Sequence, residues 1–280
     1  MTEVSPASAA HDIETPDSIQ TRFGIDYLDV DFADKTILMS MPIAGLRNPF
    51  TGAAAAGPLA ILLDAAGGLV NHYRRRADQW TVSSELALEL SPDCIEGIER
   101  VGSPVLASAR PLGGVGTSAL SVCTLTCGSA VIGWGTVRSF YIAADGVLPE
   151  RPTQTLVHSA DISLADLMAV QLGSSGDESQ RVLTQRADPN LNNDLGIVHG
   201  GAAAAGLELA ASAAINRTRG DGLLRTASLR VNFMRPFVAG RHSRYVGTAL
   251  RVGRSTAVGD ALAIGDDAKV AITARVTAYL

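Results

Sequence analysis

A chain of 280 residues holds one large domain or two ordinary ones. Its hydrophobic share of 46%, against 18% charged residues, supports a well-packed core. A net charge of -5, with no lysine/arginine-rich block and no basic stripe interleaved with aromatics, argues against nucleic acid as a partner.

The opening run, MTEVSPASAAHDIETPDSIQ, has acids and prolines where a secretory leader needs a basic tip and an apolar core, so residues 1–22 read as a flexible tail. Strand-like segments follow, then a long small-residue helix over roughly Gly57–Arg76. Next comes TVSSELALELSP, a strand-like run ending in Pro92. The stretch 111–142 reads as a strand, a glycine-rich turn and two more strands. Residues 143–160 carry glycine, prolines and charge and read as a linker. A helix over Ser163–Leu172, with Ser163 as N-cap, opens the second half. A second small-residue helix spans roughly Gly201–Arg219, followed by RTASLRVNFMRP, ending in Pro236, and by strands to the C-terminus.

The halves repeat. A shift of 144 residues sets Asp64 on Glu208 and Pro92 on Pro236. The two alanine/glycine helices lie in stretches near membrane length (Gly52–Val70 and Leu195–Ile215), but each is interrupted by an acid, so they predict buried helices and no membrane span. A helix apolar all round must be covered on all sides. One antiparallel sheet curled about it does most of that, and the other copy does the rest. The expectation is therefore an α+β fold of two tandem hotdog domains, 23–142 and 161–280, packed as a pseudo-dimer. Cys94, Cys123 and Cys127 match no zinc-ligand spacing and read as buried thiols in a reducing cytosol.

The chemically informative segment is Asn193-Asp194-Leu195-Gly196-Ile197-Val198-His199-Gly200-Gly201, with Glu208 the only acid in the helix that follows. It resembles the phenylacetate-pathway (PaaI-like) hotdog thioesterases, whose pattern has an asparagine six residues before His-Gly-Gly and an acid nine after the histidine. Thr226–Pro236 also resembles the family's strand after the helix. The resemblance spans most of 23–280 and is sharp in the second half. It implies a cytoplasmic acyl-CoA thioesterase with acyl-CoA as substrate, no cofactor and no metal, and double-hotdog chains assembling into a homo-oligomer. Family sites combine both subunits across the interface.

Elementary chemistry agrees. Glycines at a helix start leave backbone N–H groups open to a developing oxyanion, and a nearby carboxylate activates water or attacks directly. Gly200 is the expected donor, with Gly201 beside it, and Asn193 and His199 position the reactants. His199 serves equally well as a helix cap. Glu208 lies eight residues beyond Gly200, about 12 Å along the axis, so the acid facing Gly200 should be Asp64 from the other half. The complementary site joins Glu208 to the first helix start. There Ala55, Ala56 and Gly57 replace His-Gly-Gly, which makes this the weaker of two unequal sites; the Ala56 amide is the donor left to it, and Asn48 stands one residue out of register. Ser212 resembles a water-holding hydroxyl whose counterpart is Gly68, and Thr226 is a candidate for the pocket wall. Arg217, Arg219 and Arg235 are candidates for the CoA phosphates. The competing readings are a hotdog enoyl-CoA hydratase or dehydratase and a non-catalytic acyl-CoA-binding module. The Asp/Gln/Thr triad motifs of the medium- and long-chain fused double hotdogs are not found.

Overall fold

The computed structural model describes residues 18–144, 153–159, 161–220 and 222–280. In chain order the first half runs α1 (Ser18–Phe23), β1 (Asp26–Asp31), β2 (Thr36–Met41), α2 (Gly57–His72), β3 (Gln79–Leu90), α3 (Cys94–Val101), β4 (Val105–Leu112), β5 (Ser118–Cys127) and β6 (Ala130–Ala143). The second half runs α4 (Leu164–Leu167), β7 (Val170–Leu172), β8 (Gln180–Gln185), a 3-10 turn (Pro189–Leu191), α5 (Gly200–Ile215), β9 (Arg225–Phe233), β10 (Arg244–Val252), β11 (Thr256–Ile264) and β12 (Val270–Tyr279).

Each half thus has two leading strands, a buried helix and four further strands, as the repeat predicts. The twelve strands form one sheet in the order β1-β2-β4-β5-β6-β3-β9-β12-β11-β10-β8-β7. The halves are joined where β3 and β9 pair antiparallel, Glu85 opposite Asn232 and Glu89 opposite Ser228. Each long helix packs on its own half's strands and on the other helix.

The alanine/glycine composition of these helices follows from how closely they are approached. A Cβ on Gly206 would stand 2.5 Å from the Tyr245 ring, and one on Gly67 would stand 2.8 Å from both Ser121 Oγ and Val137 Cγ2. The helices also touch each other through glycine. Gly57 lies against Ala205, and a Cβ on Gly201 would meet Ile61 Cα at 2.7 Å. Each helix start therefore abuts the middle of the other helix, which makes the pair antiparallel, as the 12 Å argument requires. Apart from Ala65, which is only partly buried, the alanine and leucine side chains from Leu59 to Ala66 and from Ala202 to Ala211 are almost wholly buried. Burial at about 25 cal/mol per Å² of apolar surface makes this helix pair, beside the β3–β9 pairing, a source of cohesion between the halves.

Two local expectations are corrected. Residues 1–17 lie outside the described residues, but the end of the expected tail is ordered: α1 buries Ile19 and Phe23 in the core. The helix expected over Ser163–Leu172 lasts one turn. Ser163 caps it as foreseen, accepting from the Asp166 N–H at 3.1 Å, but Ala169 turns left-handed at φ 49° and Val170–Leu172 then pairs with β8. Of the expected linker, 145–152 and 160 lie outside the described residues, while Ala143 ends β6 and the His158 N–H bonds Arg22 O. The short helix α3 was not foreseen. Its signals are Cys94 and Ile98 four apart on a buried face, and Gly102 at φ 67° closing it. All three cysteines are free and buried, and burial pushes the Cys123 thiol up to about 12.

Candidate active site

The antiparallel helix pair creates two pseudo-equivalent places where a helix start faces an acid of the other half. They differ in chemistry.

At the first, α5 begins at Gly200, and a Cβ there would stand 2.7 Å from Asp64 Oδ2. Asp64 is 5% exposed, and its Oδ1 accepts the Ser83 hydroxyl at 2.9 Å. Oδ2 takes no hydrogen bond from the described residues, and none of them accepts the Gly200 N–H. A free carboxylate oxygen and a free amide at a helix start therefore stand side by side. They open on a cavity of about 1240 Å³ that is also lined by Asn193, His199, Trp80 and Phe233.

His199 plays the capping part of its two expected roles. Its Nδ1 accepts the Gly201 N–H at 3.1 Å, so that nitrogen is unprotonated and the ring's proton, in the neutral form, is on Nε2. The 3.6 Å from Nδ1 to Asp64 Oδ2 is then an approach of two acceptors, too long for a hydrogen bond. Asn193 is among the residues that line the cavity, but its Oδ1 is engaged by the Leu195 and Ile197 N–H groups, which hold the loop. Gly201, expected to bind substrate, instead spends its amide on the cap and faces the backbone of α2.

At the second place, the Gly57 N–H donates to Glu208 Oε2 at 3.0 Å, and the Thr226 hydroxyl donates to Oε1 at 2.5 Å. The donor is thus one residue beyond the Ala56 amide that the repeat suggested; Ala56 is the N-cap residue of α2. The Ser212 hydroxyl, one turn on, donates to Leu209 O at 3.3 Å. Asn48 spends its amide nitrogen on Leu209 O at 3.0 Å and Ser212 Oγ at 3.1 Å. Burial pushes the Glu208 carboxyl above its ordinary range, opposed by these hydrogen bonds. The cavity here is about 510 Å³, and ion pairs Arg47–Glu99 and Arg225–Glu96 stand among its lining residues. Both Glu208 oxygens and the helix-start amide are consumed by one another.

Ser83 was missed by the sequence reading. It corresponds to Thr226, but by a shift of 143 where the acids match at 144, and both β3 and β9 carry bulges near these residues. Of the arginines considered for phosphates, Arg235 lines the larger cavity. Arg219 is spent on the carbonyls of Gly222, Gly253 and Arg254, and Arg217 lines neither cavity. Among the described residues there is no group of histidines, cysteines and acids that could hold a metal. No helix of the described residues is long and apolar enough to cross a membrane.

The thioesterase superfamily model matches residues 195–272, from the loop before His199 to β12. Over this stretch the second half is similar to the thioesterase superfamily. Whole-chain comparison extends the fold to both halves. The tesB protein of Mycobacterium avium subspecies paratuberculosis is similar over 93% of this chain and 97% of its own, with a TM-score of 0.60 at 13% identity. A hot dog fold protein of unknown function from Alicyclobacillus acidocaldarius covers 95% and 98%, at 0.57 and 13%. Acyl-CoA thioesterase II TesB2 from Mycobacterium marinum covers 93% and 97%, at 0.56 and 11%. No curated protein matches the chain. The molecule is a double hotdog with both halves in one chain.

Proposed function

We propose that this double hotdog is an acyl-CoA thioesterase with one working site, formed by Asp64 of the first half and Gly200 of the second. The observation that carries this reading is the pairing, on the larger cavity, of Asp64 Oδ2 with the Gly200 amide, neither of them hydrogen-bonded to a described residue. The superfamily match around His199 and Gly200 and the PaaI-like spacing of Asn193 and His199 support the same chemistry.

The thioester carbonyl oxygen lies against the Gly200 N–H, where the positive end of the α5 dipole favours the charge that develops there. Asp64 Oδ2 takes a proton from water as the oxygen of that water bonds to the carbonyl carbon. The C–S bond then breaks, and the proton passes to the departing thiolate. A thiol pKa of about 8.5 lets this leaving group depart without a strong acid. Direct attack by Oδ2, giving a mixed anhydride that water then opens, uses the same atoms. Ser83 fixes the carboxylate through Oδ1, and His199 fixes the helix start.

Thiol release from aryl, short, medium and long acyl-CoAs is the test. Hydrolysis that disappears in Asp64→Asn supports the reading. Hydration of crotonyl-CoA without thiol release would instead make the protein a hydratase, and tight acyl-CoA binding without turnover would make it a binding module.

A further inference from the structure

The N-terminal segment reaches the other half at one buried charge. Arg22 of α1 is 2% exposed. Its Nη1 donates to Asp188 Oδ2 at 2.8 Å and to Leu167 O at 3.1 Å, both in the second half. A buried arginine is costly unless it is paired and hydrogen-bonded, and such a pair fixes position more than it adds stability. What it fixes here can be followed bond by bond.

Asp188 is the N-cap of the 3-10 turn Pro189–Leu191. Its Oδ1 accepts the Asn190 N–H at 3.0 Å, and its carbonyl accepts the Leu191 N–H at 3.0 Å. The carbonyl of Leu191 in turn accepts the His199 N–H at 2.8 Å, and Asn192 bridges Val198. His199 is the cap that sets the first turn of α5, one residue before the Gly200 amide. On the same N-terminal segment, Gln20 and Tyr27 line the cavity and hydrogen-bond each other at 2.7 Å.

We propose that Arg22 is a positioning residue for the Gly200 amide, acting through Asp188 and the turn that delivers the 192–200 loop. The clasp makes α1 a working part of the site. This inference rests on the thioesterase reading for its kinetic test, but its mechanical part does not.

The experiment compares Arg22→Met, Arg22→Lys and Asp188→Asn in the full chain. Methionine fills the buried volume, and the Asp188 carboxylate it leaves is 24% exposed and still accepts the Asn190 N–H. Should Arg22→Met fail to fold, Asp188→Asn, at the more exposed partner, carries the test. Misplacing a reacting group by about 1 Å costs up to about a hundredfold in rate, so kcat should fall about tenfold or more in Arg22→Met, with KM within about twofold. Arg22→Lys should recover part of the loss. Combining Arg22→Met with Asp188→Asn should cost no more than the worse single change, because both cut the same link. Hydrogen exchange should quicken at the amides of 192–200 and stay unchanged along the middle of α2. Unchanged kcat with unchanged exchange at 192–200 overturns the proposal, as does faster exchange spread evenly over the molecule. If the unaltered protein releases thiol from no acyl-CoA, the thioesterase reading falls, and exchange at 192–200 alone decides the clasp.

Discussion

The Gly57 N–H donates to Glu208 Oε2 at 3.0 Å, whereas the matching amide, Gly201, donates to His199 Nδ1 at 3.1 Å. One histidine thereby separates the two halves' chemistry. By supplying its own cap to the second helix, it relieves the facing acid, Asp64, of that duty. The first helix has alanine at the corresponding position, 55, and its start takes its cap from Glu208.

Asp64→Asn should lower kcat/KM by about two to four orders of magnitude, the usual scale of a lost acid–base group. Glu208→Gln should keep most of the rate, because that carboxyl is already committed to Gly57 and Thr226. Thiol-release kinetics on both variants check the ranking, and the reverse order would move the working site to the Gly57 end.

Gly200→Ala sets a methyl group 2.7 Å from Asp64 Oδ2. Carboxylate and amide are then wedged apart around the reacting carbon. A large fall in kcat is expected while the melting midpoint changes little, since the carboxylate swings into the cavity. Gly201→Ala should show the opposite balance. Its methyl group meets Ile61 Cα at 2.7 Å, where backbone must move, at a cost of about 1–3 kcal/mol. Paired melting and activity measurements separate the two.

His199→Ala removes a cap, worth about 1 kcal/mol. It should lower the unfolding free energy by that amount in denaturant titration and reduce kcat by less than Asp64→Asn does. A loss of rate equal to that of Asp64→Asn would give the imidazole a direct chemical part.

Glu208 sets a pH dependence. Burial raises its folded-state pKa above the ordinary value of 4.5, so in the window between the two values the folded chain binds more protons than the unfolded one. Stability then falls as pH rises through that window, and above it the penalty of a buried charge is fully present. Glu208→Gln, which can still accept from Gly57 and hydrogen-bond Thr226, removes the penalty. Its unfolding free energy should gain on the unaltered protein as pH rises, and equal curves at all pH values would refute the linkage.

The duplicated fold was legible because two helices of alanine and glycine cannot stand unless they are covered, and the 144-residue shift showed that each comes with its own strands. That Asp64 faces Gly200 was legible from helix rise taken together with an antiparallel neighbouring helix, which the duplication supplied, and with the resemblance to a family whose sites span both subunits. Other features depend on contacts that a linear pattern does not encode. Ser83 escaped because the register between the halves shifts by one residue there. The division of labour at His199 rests on which nitrogen meets which amide. Arg22 sits in a segment whose composition resembles a tail, and only its burial against Asp188, 166 residues away, reveals that it belongs to the fold.

The β3–β9 junction carries a consequence for how such a site can change. In a dimer of identical chains every substitution is written twice, so an acid cannot be kept at one interface position and altered at its mate. Here the two strands meet within a single polypeptide. Aspartate stands at one place and glutamate at the other, histidine at one helix start and alanine at the other, and each substitution is felt once.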